Sequence, residues 1–162
     1  MDIYIVRHAW AGQRGDQWPD DDLRPLTQDG KKRFAKVAEK LVECGMDVKL
    51  IATSPLVRCA QTAKLLAAAT RKVEVVELDE LRPGGDFERL LTWTARQATE
   101  HERIAWVGHA PDVDRLAAAL IGDGEALIHF AKGGVAAIRF DGEPILGTGE
   151  LQWLVTANLL GC

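Results

Sequence analysis

Five residues of this chain carry side chains suited to handling a phosphoryl group: Arg7, His8, Arg58, Glu80 and His109. An arginine fork matches phosphate oxygens two at a time and keeps its charge at any working pH. A neutral histidine is a competent nucleophile toward phosphorus, and nearby cations favour its neutral form. A second histidine and a carboxylate can stabilise charge or carry a proton. Each residue taken singly has an ordinary reading. An Arg-His pair is commonly solvated surface, an arginine early in a helix an exposed side chain, and Glu80 a surface acid. Only a fold that gathers them gives them weight.

The elements that must do so can be read from periodicity. Residues 2–6 form a β-branched and aromatic run, a first strand. Residues 9–26 are polar and aperiodic, hence a loop. Thr27 reads as an N-cap, and Phe34, Val37, Ala38 and Leu41 make one helical face before Gly45 stops the helix. Residues 48–53 are a second strand, and Ser54-Pro55 predicts a helix start running to about Thr70. Strand signals follow at 73–78, 104–108, 135–140 and 151–156. Helix signals fall between them, one capped by Asp86 and one opened by Pro111 and ending near Gly122. Strands alternating with helices predict an α/β fold with a largely parallel sheet and right-handed crossovers. Sites in such sheets lie beyond the carboxyl ends of the strands. Arg7-His8, the segment from Ser54 to Arg58, Glu80 and His109 all follow strand ends, so one rim should hold them. The helix start at Ser54 would add unpaired N–H groups, a further anion-binding element.

Composition narrows the classes. The chain has 162 residues, enough for one domain with a packed core. Its net charge of −4 argues against nucleic acid or an anionic membrane as the main partner. No run approaches the length of a transmembrane helix, and the first residues do not resemble a secretory signal, so a cytoplasmic location is expected. Cys44, Cys59 and Cys162 form no CxxC pair, so neither a disulfide framework nor a zinc site is suggested. Cys44 and Cys59 read as buried free thiols. Neither has an arginine six positions on, as a thiol-based phosphatase loop would need. No GxxxxGK[ST] is present, and the Gly122–Gly124 and Gly147–Gly149 pairs do not extend to GxGxxG. Asp20-Asp21-Asp22 in a loop and Asp112/Asp114 opening a helix read as solvated or capping acids rather than a metal pair. No metal and no cofactor is expected.

Three longer motifs carry a resemblance. Ile5-Val6-Arg7-His8-Ala9, Arg24-Pro25-Leu26-Thr27 with Gly30, and Ser54-Pro55-Leu56-Val57-Arg58-Cys59-Ala60-Gln61-Thr62-Ala63 occur in order, followed by the segment from Leu78 to Asp86 and by Val107-Gly108-His109-Ala110-Pro111. Together they resemble the histidine phosphatase superfamily, in particular its short SixA-type phosphohistidine phosphatases, over nearly the whole chain. The resemblance implies a phosphoglycerate mutase-like three-layer α/β/α sandwich, one domain over residues 1–162. It implies that His8 accepts the phosphoryl group covalently, that Arg7, Arg58 and His109 hold its oxygens, that Arg24 adds a substrate contact, and that Glu80 donates a proton.

Two positions depart from the family pattern. Ala9 replaces the common glycine, which would cost about 1 kcal/mol if the backbone there needed a positive φ. Cys59 replaces a usual alanine beside Arg58, and its thiol could be oxidation-sensitive. Twenty-eight residues separate Glu80 from His109, already consumed by a turn, a helix and a strand, so no lid is expected. An open site suits a phosphorylated side chain on a protein. The leading expectation is a phosphatase acting on a phosphohistidine protein, such as a phosphorelay or phosphotransfer domain, with inorganic phosphate as product. A broad small-molecule phosphomonoesterase and a non-catalytic phosphoprotein-binding module remain as alternatives.

Overall fold

A computed structural model describes residues 1–15, 17–122 and 124–162. Asp16 in the 9–26 loop, and Asp123 within the Gly122–Gly124 pair, lie outside the described residues. Six strands, β1 (Asp2–Arg7), β2 (Leu50–Thr53), β3 (Glu74–Glu77), β4 (Arg103–Gly108), β5 (Val135–Arg139) and β6 (Glu150–Val155), form one sheet in the order β3-β2-β4-β1-β5-β6. The β3, β2, β4 and β1 strands run parallel, while β5 pairs antiparallel with β1 and β6 with β5. β2 is buried along its whole length, β1 at every position but its two ends, and β4 at every position after Arg103. That is the continuous apolar pattern of strands covered on both faces.

Two helix pairs supply that cover. α1 (Gln28–Glu43) and α2 (Val57–Ala69) lie on one face, α3 (Phe87–Gln97) and α4 (Asp112–Leu120) on the other. α1 begins where Thr27 Oγ1 accepts from the Gly30 amide at 2.9 Å, and it buries Phe34, Val37, Ala38 and Leu41 at helical spacing. Gly45, at φ +97°, ends the turn that follows it. The Asp86 side chain caps α3 through the Arg89 amide at 3.0 Å. Among the described residues no helix is long and apolar enough to cross a membrane. The three-layer α/β/α sandwich with a mostly parallel sheet is thus the observed architecture.

Two details differ from the sequence reading. Ser54-Pro55 does not open α2; the helix begins at Val57 with Leu56 as its N-cap residue, and Ser54 is the residue directly after β2. Its hydroxyl has other work, described below. Cys44 is exposed rather than buried, because it lies at the C-terminus of α1, beyond the buried stripe.

Candidate active site

The sheet register brings the site together. Arg7 stands opposite Gly108, the His8 amide donates to the Gly108 carbonyl at 2.9 Å, and the Ser54 amide donates to Val107 at 3.0 Å. The ends of β1, β4 and β2 are therefore adjacent, and Arg7, His8, His109 and Ser54 follow from them without long side-chain reaches. His8 and His109 meet edge to face with ring centroids 5.3 Å apart, both buried. Arg58 enters from the first turn of α2, only 3 % exposed.

His8 Nδ1 lies 2.8 Å from the Ala9 carbonyl oxygen, which can only accept, so Nδ1 carries the proton and Nε2 keeps its lone pair. Burial pulls the His8 pKa down to about 4, assisted by the charges of Arg58, Arg7 and Arg24 and opposed by the bond to Ala9. The ring is neutral at working pH, and Nε2 can attack an electrophile. His109 is pulled down to about 3, by burial first and then by Arg58 and His8. Its Nε2 lies 3.0 Å from Ser54 Oγ and 3.4 Å from Cys59 Sγ. If the Ser54 hydroxyl donates to Nε2, His109 Nδ1–H is left to donate to a phosphoryl oxygen. The serine is spent on orienting this imidazole.

The two guanidinium groups are held by main-chain oxygens. Arg7 Nη1 donates to the Phe130 carbonyl at 2.5 Å, and Arg58 Nη1 donates to the Asp21 carbonyl at 2.8 Å. Both Nε atoms are buried without a partner among the described residues. Such groups are costly to leave unsatisfied, and an oxyanion between them would relieve that cost.

Asp21 is the residue that sequence reasoning missed. Its carboxylate meets Arg24 Nε at 2.7 Å, Arg14 Nη2 at 3.2 Å and Arg58 Nη2 at 3.2 Å. Those partners, Arg24 above all, hold its pKa far below the usual carboxylate range. So Asp21 is neither merely solvated nor a cap; Asp20 takes the capping part, accepting from the Asp22 amide at 3.0 Å, and Asp22 pairs with Arg82. The sequence offers only a loop after β1 with three acids before an arginine, which does not single out Asp21. Arg24 itself is nearly buried, tied to Asp21 and to the Gly12 carbonyl, and reaches the site as a charge felt by His8.

Glu80 lies on a 3-10 turn (Asp79–Leu81) whose Leu81 packs near Gly108. It is half-buried and has no side-chain partner among the described residues. Gly85 shapes that turn, because a Cβ there would stand 2.1 Å from the Glu80 carbonyl. Between Glu80 and His109 the chain forms this turn, α3 and β4, with no lid.

The remaining motif positions have mechanical reasons. Thr62 Oγ1 accepts from the Ala9 amide at 3.1 Å and donates to the Arg58 carbonyl at 2.7 Å, joining the β1 end to the first turns of α2. Gln61 Oε1 accepts from the Leu26 amide at 2.8 Å and fastens the loop. Gly30 lets α1 approach Trp10, whose carbonyl would be 2.2 Å from a Cβ. Ala9 is not among the residues with positive φ, so it carries none of the strain its replacement of glycine could have brought. The Cys59 thiol is pushed up to about 12 by burial and donates to the Gly108 carbonyl at 3.6 Å, so it stays protonated and unreactive.

Comparison with known proteins bears on the family and the fold. The sequence profile of the histidine phosphatase superfamily (branch 1) matches residues 3–139. An uncharacterised protein of Picosynechococcus sp. is 36 % identical over 141 residues, 86 % of this chain and 85 % of its own. Phosphohistidine phosphatase SixA of Escherichia coli K12 is 28 % identical over 157 residues, covering 94 % of this chain and 92 % of its own. The solved structure of a protein histidine phosphatase SixA complexed with tungstate superposes with a TM-score of 0.86 at 25 % identity, covering 99 % of both chains. The chain belongs to the histidine phosphatase superfamily, a family of phosphatases, and is of the SixA type.

Proposed function

We propose that this chain is a metal-independent phosphohistidine phosphatase that dephosphorylates a protein through a covalent phospho-His8 intermediate. The observation that carries the reading is His8 itself, buried, neutral, with Nδ1 engaged by Ala9 and Nε2 free beside two arginines and His109. In the first step His8 Nε2 forms a bond to phosphorus as the bond to the substrate imidazole nitrogen breaks, and that nitrogen takes up a proton. Arg7, Arg58 and His109 Nδ1–H hold the non-bridging oxygens, with Arg24 adding charge. In the second step water attacks phosphorus, inorganic phosphate leaves, and His8 returns neutral. Four positively polarised groups do what a divalent ion does in other phosphatases. Glu80 supplies a proton where the leaving group needs one. The reading assigns the enzyme to the cytoplasm, where three unpaired cysteines are ordinary.

The test compares turnover of a phosphohistidine-carrying phosphotransfer domain with a panel of small phosphate esters, with and without chelator. Preference for the protein, unaffected by chelation, is the expected result. Faster turnover of a small ester would favour a broad phosphomonoesterase. Loss of activity on chelation, restored by one divalent ion, would remove metal independence. Tight binding of the phosphoprotein without any turnover would leave a binding module.

A further inference from the structure

A cleft of about 370 Å³ opens beside Arg7 and reaches the C-terminal segment at Thr156 and Asn158. Its walls carry Arg7, Arg33 and Lys132 with the His129 imidazole, and no Asp or Glu among the described residues lines it. This is unusual on a chain of net charge −4. Four other clefts on the described surface each include at least one acid. The partners of the cations tell the same story. Arg14, Arg24, Arg58, Arg82, Arg103 and Arg139 each pair with an aspartate. Arg33 pairs with no Asp or Glu among the described residues; it bonds to Asn158 Oδ1 at 2.6 Å and the Cys162 main-chain oxygen at 2.9 Å, with its guanidinium 4.0 Å from the Trp10 ring centroid. Arg7 bonds to a carbonyl, and the exposed Lys132 has no side-chain partner among the described residues.

The loop bearing these charges is fixed to the reacting segment. The Gly133 amide donates to the His8 carbonyl at 3.2 Å, the Arg7 amide donates to Gly134 at 3.1 Å, and the Phe130 amide donates to Asp114 Oδ1 at 3.0 Å. Gly133 adopts φ +68°, and a Cβ there would come within 3.0 Å of Trp10, so glycine is what lets the loop close. Lys132 and His129 therefore sit at a set place relative to His8. Arg7 belongs both to this cleft and to the phosphate site, so a ligand in one is contiguous with a ligand in the other.

We infer that this cleft docks acidic side chains that flank the phosphorylated histidine of the partner protein, making Lys132 and Arg33 specificity-determining residues. The inference rests on the phosphohistidine-protein reading above and adds what that partner must carry. Successive residues of an extended segment are about 3.3–3.6 Å apart, so a carboxylate within a few positions of the phosphohistidine can enter the cleft while the phosphoryl group meets His8. The cleft has room for more than one side chain and lies open, as a protein segment requires. Cations with no Asp or Glu beside them, led by the exposed Lys132, would select and orient a partner that the rest of this acidic surface repels.

The test uses two phosphohistidine peptides of equal length, one flanked by Asp and Glu, the other by Asn and Gln, with wild type, Lys132→Gln and Lys132→Glu. Para-nitrophenyl phosphate hydrolysis, which lacks a flank, checks that the site is intact and should not change. Wild type is expected to favour the acidic peptide about tenfold in kcat/KM, through KM, with the preference shrinking as salt rises. Lys132→Gln should weaken the preference and Lys132→Glu erase or invert it. Equal kcat/KM for the two peptides, or an unchanged preference in Lys132→Glu, overturns the inference. Should neither phosphohistidine peptide be bound or cleaved while the ester is, the functional reading fails. The cleft is then decided by the same pair built on phosphoserine, as inhibitors of ester hydrolysis: an acidic preference that Lys132→Glu removes supports it, and equal inhibition overturns it. If O-phosphoserine is preferred over O-phosphoethanolamine through Lys132 while both peptide pairs behave alike, the cleft reads a small carboxylate and the protein source is wrong.

Discussion

The two walls of the site are built by different means. On the inner wall, Arg7, His8, Ser54 and His109 stand at the ends of three neighbouring strands, and main-chain bonds such as His8 to Gly108 and Ser54 to Val107 set their places. On the outer wall, Arg14, Asp21 and Arg24 come from a loop and are placed by ion pairs centred on Asp21, while Glu80 comes from a short turn. Arg58 joins the two, since its backbone is tied to the strand end through Thr62 while its side chain reaches Asp21. In the proposed mechanism the difference separates what performs the chemistry from what aims it. Strand ends give a rigid floor, and a side-chain network gives a margin that can be altered without unfolding the protein.

Breaking the link between the walls should have the largest effect. Arg58→Ala removes a buried fork that the proposed mechanism places on the phosphoryl oxygens and is expected to lower kcat about 10³-fold. Arg58→Lys should recover little, because an ammonium cannot supply paired donors. Steady-state kinetics on any accepted phosphate ester reads both. Recovery to near wild type by lysine would mean that Arg58 contributes charge alone.

The outer wall is sharpened by its leaving-group dependence. Expelling an alkoxide needs a proton in the transition state, whereas a phosphohistidine imidazole, titrating at about 6.5, can be protonated from solvent. Glu80→Gln is therefore expected to slow an alkyl phosphate about 10²-fold and phosphohistidine far less. Equal losses would make Glu80 a positioning residue.

Legibility follows the same division. Strand ends were visible because apolar runs such as Ile104 to Val107 mark the sheet, and sheets of this class place function at their carboxyl ends. Thr27 and Asp86 were visible as caps because their chemistry is local. Ser54 was misread for the same local reason: Ser-Pro is a strong helix start, but here the hydroxyl turns to His109 and α2 begins at Val57. Asp21 was not legible because its three arginine partners lie at separations that no periodicity reports. Periodicity also did not reveal the join made by Thr62, a threonine on a helix face that looks like any other until its bond to Ala9 is seen.

That join gives a stability test. Thr62→Val leaves the buried Ala9 amide without its acceptor and should cost about 1–3 kcal/mol, read by denaturant unfolding. An unchanged midpoint would show that Ala9 finds another partner.

The histidines of the inner wall make a pH test. Both are held neutral in the folded state, His8 to about 4 and His109 to about 3, while unfolded histidine titrates at about 6.5. The unfolded chain therefore binds more protons between these values, so stability is full above about pH 6.5 and falls as pH drops toward 4. Urea midpoints at pH 7.5, 5.5 and 4.5 should show this fall, and a His8→Gln, His109→Gln double variant should flatten it. The smallest effect is expected for Asp21→Asn, which loosens the outer wall without touching His8. It should cost about threefold to tenfold in kcat/KM, the size of an ordinary coupling between neighbours.

The central claim is that His8 Nε2 takes the phosphoryl group, and acid-free rapid quenching tests it most directly. Wild-type enzyme mixed with labelled phosphohistidine substrate and quenched under alkaline denaturing conditions should carry label that is stable in base, lost in acid, and located by peptide mapping on the segment containing His8. His8→Ala should carry none and turn over no substrate. Label on another residue, or substantial turnover by His8→Ala, would contradict the account.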